Sequence, residues 1–357
     1  MLNFLLKQLD WKLNIAILFL AIASLVSLLS QNIDLFWKQL LWVIISIVAI
    51  LILIKFDWRS FINHKGIILG IYLLSNALLL LTLIIAPRVR GTKSWIPIGS
   101  FQFQTSDFAA LALVIVLANF FREKHKSIAS PVILIQSFLY FALPASLVLL
   151  QPDMGSMLLL LGIWLGFVLV SGMKWRHIIT LFLIFAVIGV IGWVYIFKDY
   201  QKERIVGVFN PSKDVLGVNY NVIQSKIAIG SAGILGKGFR QGTQVQLGFL
   251  PEAQTDFIFS AVIEEWGIIS GFLMVFAFVY IILRITSIGA EERNNFNKFI
   301  CLGSVIYFCV NFIFNTGSNL GLLPVIGVPY PFLSYGGSHF ITEAFLIGMV
   351  QSIRVRK

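Results

Sequence analysis

The side chains best suited to move a proton stand together in one stretch. Pro251-Glu252-Ala253-Gln254-Thr255-Asp256-Phe257 leads into an apolar run that contains Glu264 and Glu265. Asp256, Ser260 and Glu264 share one face if the run is helical. At 1.5 Å per residue, Glu264 would lie about 12 Å beyond Asp256. Capping of the helix start explains a lone Asp256. It does not explain a Glu pair two turns further in, so acid–base chemistry is the stronger reading here.

Three other stretches hold polar groups beside apolar runs. In Gln151-Pro152-Asp153-Met154-Gly155-Ser156, proline and aspartate at a helix start are ordinary capping chemistry, and capping is the favoured role of Asp153. Arg90-Gly91-Thr92-Lys93-Ser94-Trp95-Ile96 is followed by Gln104-Thr105-Ser106-Asp107. There, interfacial anchoring by Trp95 and capping by Asp107 weigh equally with a binding role. Gly321-Leu322-Leu323-Pro324 continues through Pro329-Tyr330-Pro331-Phe332-Leu333-Ser334-Tyr335-Gly336-Gly337-Ser338. Its prolines and glycines specify a rigid, irregular loop, with Ser338 expected to cap the helix that follows.

What must position these residues is a membrane. The chain has 357 residues, 58% hydrophobic and only 12% charged, whereas soluble domains carry about 25% charged residues. A soluble enzyme and a disordered chain are both excluded. Ten runs approach the length of a membrane helix: 13–30, 36–54, 66–86, 107–121, 131–150, 154–171, 177–197, 257–283, 298–317 and 338–353. The expected fold is therefore all-α: a polytopic membrane protein of about ten helices, one domain over 1–357. The stretch 198–256 forms a large outer loop between the seventh and eighth spans. Loops of that length are usually functional. Ile223–Ile234 within it is expected to form an amphipathic helix on the membrane surface.

Charge sets the orientation. With the N-terminus in the cytoplasm, the inner segments hold sixteen basic residues, among them Lys7, Lys12, Arg59, Lys126, Arg284, Arg354 and Lys357. Against five acids there, Asp57 included, they account for the whole net charge of +11. That is the positive-inside pattern, with both termini cytoplasmic, and nucleic acid is not needed to explain the basic balance. Lys93, Arg88 and Arg90 breach the pattern in an outer loop, and the 198–256 loop adds Lys198, Arg204, Lys213, Lys226, Lys237 and Arg240.

Familiar sites are absent from the sequence. The glycines around Gly236-Lys237-Gly238 have the wrong spacing for a dinucleotide fingerprint. His64, His125 and His177 fall at inner loops and His339 outside, so no zinc set is visible. Cys301 and Cys309 read as buried thiols. What remains is an acid at the outer face, with cations able to hold phosphate at headgroup level. Those features suit an enzyme acting on a lipid-linked phosphate, or a transporter of an anionic lipid.

At these residues the chain resembles the RodA/FtsW family of bacterial cell-wall proteins, the SEDS proteins. The likeness runs through Gly91 to Ile96, Gln151 to Gly155, Tyr200-Gln201 to Arg204, Gln224-Ser225, Gly236 to Gly238, Phe249 to Glu252, Thr255 to Phe259, Glu264 to Gly267 and Pro329 to Ser338. The Gly327-Val328-Pro329 step is more like RodA. The resemblance implies a peptidoglycan glycosyltransferase of the bacterial cytoplasmic membrane, serving elongation and cell shape. It would polymerise lipid II using a glycan on undecaprenyl pyrophosphate as donor and the 4-hydroxyl of the lipid II GlcNAc as acceptor. It implies Asp256 as general base or as ligand of an assisting divalent cation, no other cofactor, and a class B penicillin-binding protein as partner. Substrate-binding residues carried over are Arg204, Lys237, Lys93, Trp95, Asp107, Asp153, Gln224, Glu252, Thr255, Glu265 and Ser334, with Arg204 and Lys237 at the pyrophosphate.

Two departures from the family matter, at Asp107 and Ala110. It commonly reads Gln-Pro-Ser-Glu-Phe-Ala-Lys where this chain has Gln104-Thr105-Ser106-Asp107-Phe108-Ala109-Ala110. The lysine becomes Ala110, so either another cation serves or the acid and lysine drifted together. Two alternatives stay open: a precursor flippase, which needs polar residues through to the inner face, and a non-catalytic scaffold for a penicillin-binding protein.

Overall fold

A computed structural model describes residues 8–55, 64–89, 91–99, 101–125, 130–196, 199–210, 217 and 219–356. Lys7, Asp57, Arg59, Arg90, Lys126, Lys198, Lys213 and Lys357 lie outside them. Hydropathy dictates the first-order result, an all-helical bundle. The long helices are α1 (Trp11–Gln31), α2 (Ile33–Lys55), α3 (Lys65–Ile85), α4 (Thr105–Lys124), α5 (Pro131–Leu150), α6 (Met154–Val170) and α7 (Trp175–Ile191). In the stretch expected as a loop come α8 (Asp199–Phe209), α9 (Tyr220–Ser231) and the single turn α10 (Thr243–Gln246). α11 (Ile258–Glu291), α12 (Asn295–Asn319) and α13 (Gly337–Val355) complete the bundle.

Among the described residues, eight helices are long and apolar enough to cross a membrane, and α6 is a shorter apolar helix. α13 falls outside both groups because it faces protein rather than lipid, burying His339, Glu343, Gln351 and Ser352. α4 is likewise central: 78% of its apolar window is buried, against 6% for Trp175–Tyr195 at the rim. Close packing at the centre uses small residues. A Cβ on Gly166 would stand 2.7 Å from Ile306 of α12.

An element that hydropathy does not announce precedes α4. Trp95–Ile98 (β1) and Phe101–Gln104 (β2) form an antiparallel hairpin, Trp95 opposite Gln104. The alternation of Ile96, Ile98, Phe101 and Phe103 around Gly99, at φ +61°, is the signal that reveals it. α4 accordingly begins at Thr105, directly after β2, earlier than the expected 107.

The termini meet at one end of the bundle, the terminal end. Asp10 caps α1 by accepting from the Leu13 N–H at 3.0 Å. It also accepts from Arg284 Nε of α11 at 2.6 Å, while its backbone bonds Gln351 of α13. Burial pushes the Asp10 carboxyl up, but bonding to Arg284 and Leu13 outweighs it and holds the group below its ordinary value of 3.8. A carboxyl lowered by folding contributes stability that is complete above the unfolded value and is lost as pH falls toward the folded one. Melting of the detergent-solubilised protein is therefore expected to weaken below about pH 4, and to weaken less in Arg284→Leu.

The largest departure from expectation lies in α11. Gly267 has φ +82° and ψ 174°, so the helix is broken there. A break inside a membrane protein must have its freed backbone groups satisfied. Here residues 233–238 do so. The Lys237 and Gly238 N–H groups donate to the carbonyls of Glu264 and Glu265, each at 2.9 Å, and the Ile268 N–H donates to the Gly233 carbonyl at 3.1 Å. Backbone packs against backbone: a Cβ on Gly236 would strike Glu265 and Gly267, and one on Gly267 would strike Ile234. Gly236 sits at φ +83°, so an alanine there is strained twice. Gly236→Ala is expected to lower the melting temperature of the purified protein, whereas Gly230→Ala, on an open helix face, is not.

Candidate active site

Asp256 is placed by its neighbours' backbone bonds. Leu250 to Phe257 fold as a turn in which the Glu252 carbonyl accepts from the Thr255 and Phe257 N–H groups, each at 3.1 Å. Glu252 sits at φ +54°, and its carboxylate accepts from Thr255 Oγ1 at 3.1 Å. The helix that follows has Phe257 at its N-cap and no side-chain cap, so Asp256 is not a capping residue. Its carbonyl is held by two amides of α12, Asn315 Nδ2 at 3.1 Å and Asn319 Nδ2 at 2.7 Å.

These asparagines serve several elements at once. Asn315 Nδ2 also donates to the Val328 carbonyl at 2.9 Å. Asn319 Oδ1 accepts from Ser260 Oγ at 2.6 Å, and Ser225 of α9 donates to the Asn319 carbonyl at 2.8 Å. α9 matches the expected amphipathic helix, but it buries Ser225 and Ala228 in the bundle rather than lying free on a surface. Gln224 stands beside Ser225, half-buried.

The loop 327–335 closes the other side. Ser334 Oγ donates to the Thr255 carbonyl at 2.7 Å and accepts from the Tyr330 N–H at 2.8 Å. The Tyr335 N–H donates to the Gln254 carbonyl at 2.9 Å. Burial pushes the Tyr335 phenol up, which keeps it neutral. Gly327, at φ +71°, brings backbone beside the acid: a Cβ there would stand 3.9 Å from Asp256 Oδ2. Glu252, Thr255, Asp256 and Ser334 thus form one group, with the half-buried Asp256 carboxylate beside Gly327.

Glu264 and Glu265 form a second group. Glu264 is fully buried and pairs with Lys237 Nζ at 2.7 Å. It also accepts from the Gln244 and Val245 N–H groups at 2.9 and 3.2 Å, holding the start of α10. Lys237 gives a further bond to Thr243 Oγ1 at 2.8 Å. Glu265 bonds Ser30 of α1 and Gln246 at 3.1 Å. Ser30 and Asn319 both end their helices at the distal end, opposite the termini. The Ile258–Trp266 arm therefore crosses that end, from α12 to α1. Glu264 is therefore not about 12 Å deeper in the bundle than Asp256, as a helix running straight inward would have it: the segment up to Trp266 lies across the distal end, and the chain turns inward only past the break at Gly267.

A third group lies at the β-hairpin. Trp95 Nε1 donates to Gln104 Oε1 at 3.2 Å, and Lys93 Nζ to the Leu83 carbonyl at 3.1 Å. Asp153 caps α6 through the Ser156 N–H at 3.0 Å, as expected. Ser338 does not cap α13; its Oγ accepts from the Gln104 N–H at 3.3 Å. Nor does Asp107 cap α4. It is buried within the first turn, with Oδ1 3.7 Å from His339 Nδ1. His339 is buried too. Arg204 stands apart on α8, where Nη1 donates to the Val325 carbonyl at 3.0 Å beside a crevice lined by Lys226 and Asn219.

Sequence reasoning missed Asn319, His339 and Glu343. The i, i+4 spacing of His339 and Glu343 inside an apolar run was the available signal. Asn76 and Asn311 each donate to a carbonyl of their own helix one turn back. Among the described residues no three His, Cys, Asp or Glu side chains are grouped to hold a metal. A divalent cation fits beside Asp256 only as magnesium fits phosphate sites, on one carboxylate and substrate oxygens.

Comparison with known proteins follows the same lines. Residues 5–357 match a family model described as FTSW_RODA_SPOVE, cell cycle protein. The chain is 36% identical over 276 residues to the peptidoglycan glycosyltransferase MrdB of Escherichia coli K12, covering 75% of this chain and 72% of that protein. It is 32% identical over 321 residues to stage V sporulation protein E of Bacillus subtilis, covering 88% and 86%. A solved chain from a peptidoglycan synthase complex that coordinates polymerization and crosslinking superposes with a TM-score of 0.83, at 28% identity and 97% coverage of both.

Proposed function

The chain belongs to the FtsW/RodA/SpoVE family and is a multi-pass peptidoglycan glycosyltransferase of the bacterial cell envelope, and from that premise we propose that it polymerises lipid II with Asp256 as general base. The observation that carries this is the contrast at Asp256: two buried amides and the Ser334 loop fix its backbone, while its carboxylate is part-exposed beside Gly327. Fixed geometry with an accessible oxygen is what proton abstraction requires.

In the proposed step, the 4-hydroxyl of the lipid II GlcNAc loses its proton to Asp256. Its oxygen attacks the anomeric carbon of the donor sugar, and the bond to undecaprenyl pyrophosphate breaks. The leaving pyrophosphate takes the electron pair and needs cations nearby. Arg204 and Lys226, at the distal crevice, are suited to that; Lys237 has its charge balanced by Glu264 and serves first as a structural pair. An assisting divalent cation, where bound, would offset pyrophosphate charge.

The chain works as one unit over 1–357, with Lys12, Arg284 and Arg354 marking the terminal end as cytoplasmic. A class B penicillin-binding protein supplies crosslinking, in keeping with the complex to which the similar chain belongs. The RodA-like features favour a role in elongation and cell shape.

The test is to purify the chain with its partner, add lipid II and resolve the products by size. Glycan strands are expected. Translocation of lipid II across liposomes without strand formation would instead favour a flippase.

A further inference from the structure

Asp107, Tyr307, His339 and Glu343 form a buried cluster in the bundle that the proposed step does not use. Glu343 and Tyr307 are fully buried, and Asp107 and His339 are each 5% exposed. His339 Nε2 lies 2.9 Å from Glu343 Oε1, and Nδ1 lies 3.7 Å from Asp107 Oδ1 and 3.1 Å from the Tyr307 hydroxyl. Two carboxylates inside a membrane bundle are costly unless a cation balances them. Among the described residues, the ion pairs of both Asp107 and Glu343 are made with His339 and with no lysine or arginine. The family lysine that would stand one turn along from Asp107 is here Ala110, itself fully buried.

The cluster reaches the acid through a continuous set of bonds. Glu343 Oε2 accepts from the Phe332 N–H at 3.0 Å. Phe332 sits at φ +58°, a conformation that a bulky aromatic holds only when its surroundings enforce it. Two residues on, Ser334 bonds the Thr255 carbonyl, and Tyr335 bonds Gln254. Asp256 follows directly.

We propose that His339 is a positioning residue for glycan polymerisation: as an imidazolium it takes the place of the missing lysine, balances Asp107 and Glu343, and so keeps Glu343 holding the Phe332 turn that sets Asp256. The proposal rests on the reading of Asp256 as the base. It also explains how a chain with Ala110 remains a full enzyme rather than a scaffold.

The test uses the full-length protein with its partner and lipid II. His339→Gln keeps hydrogen bonding and most of the volume but not the charge. It is expected to lower kcat by about 10-fold or more, the scale of a displaced catalytic group, with KM little changed. His339→Ala is expected to be as poor or worse. Adding Ala110→Lys to His339→Ala restores a cation and fills the space, and is expected to recover most of the lost kcat. In the otherwise native chain, Ala110→Lys is expected to bring no gain. A His339→Gln protein within two-fold of wild type would overturn the proposal. So would a folded His339→Ala protein, judged by melting, that Ala110→Lys does not improve. An Asp256→Asn protein run in parallel separates the two readings: its activity would remove the base itself, whereas its inactivity beside a fully active His339→Gln protein rejects only the role of His339.

Discussion

An Asp256→Ala protein, supplied with lipid II and its partner, is expected to make glycan at least about 10²–10⁴-fold more slowly, the range contributed by a general base. Its melting is expected to shift far less than its activity. The structure separates these outcomes. Asn315 and Asn319 hold the carbonyl of residue 256, which alanine retains. Phe257, not Asp256, sits at the N-cap of α11, so no cap is lost. Asp256→Asn is the sharper variant, since it preserves shape and removes only the proton acceptor. Strands made at the native rate by either protein would end the assignment. Asn319→Ala should do the reverse, disturbing fold and activity together, because Asn319 serves Ser260 and Asp256 at once.

The largest effect on stability is expected from Glu264→Ala. Breaking a buried ion pair from one side costs about 3–5 kcal/mol, and Lys237 is partly exposed, so the lower end applies to the pair itself. The Gln244 and Val245 N–H groups then lose their acceptor as well, each about 1–3 kcal/mol if left unpaired. Thermal unfolding in detergent measures the sum. A Glu264→Leu, Lys237→Met double variant is expected to recover part of the loss, since an apolar pair can replace a buried ion pair. It should not recover all of it, because the two backbone donors remain. Equal stability of Glu264→Ala and wild type would show that the 233–246 segment does not depend on this latch.

Much of this was legible in the sequence because the membrane makes strong demands. Apolar runs located every long helix, and the clustering of acids in the 251–265 stretch pointed to Asp256. Thr255, Glu252 and Ser334 were named and do meet around it. The break at Gly267 was not legible. Helical periodicity continues across it, and only the partner backbone of Gly233 to Gly238, about 30 residues upstream, makes a break tolerable. The cluster of His339 and Glu343 was hidden for a related reason. Each side chain alone reads as a stray polar residue, and only the packing of α13 against α4 places Asp107 beside them. Asp153 shows the opposite case, where local capping chemistry was the whole story.

The joint at Gly267 bears on how the enzyme meets bilayers of different thickness. The arm from Ile268 to Glu291 is about 36 Å long at 1.5 Å per residue, enough to traverse the hydrocarbon by itself. A thinner or thicker bilayer changes the tilt of such an arm. Ile258–Trp266 is not coaxial with it, and is anchored to α12 and α1 instead. The position of Asp256, the proposed base, is thereby uncoupled from hydrophobic mismatch: the spanning arm can change its tilt without carrying the 256–266 segment with it.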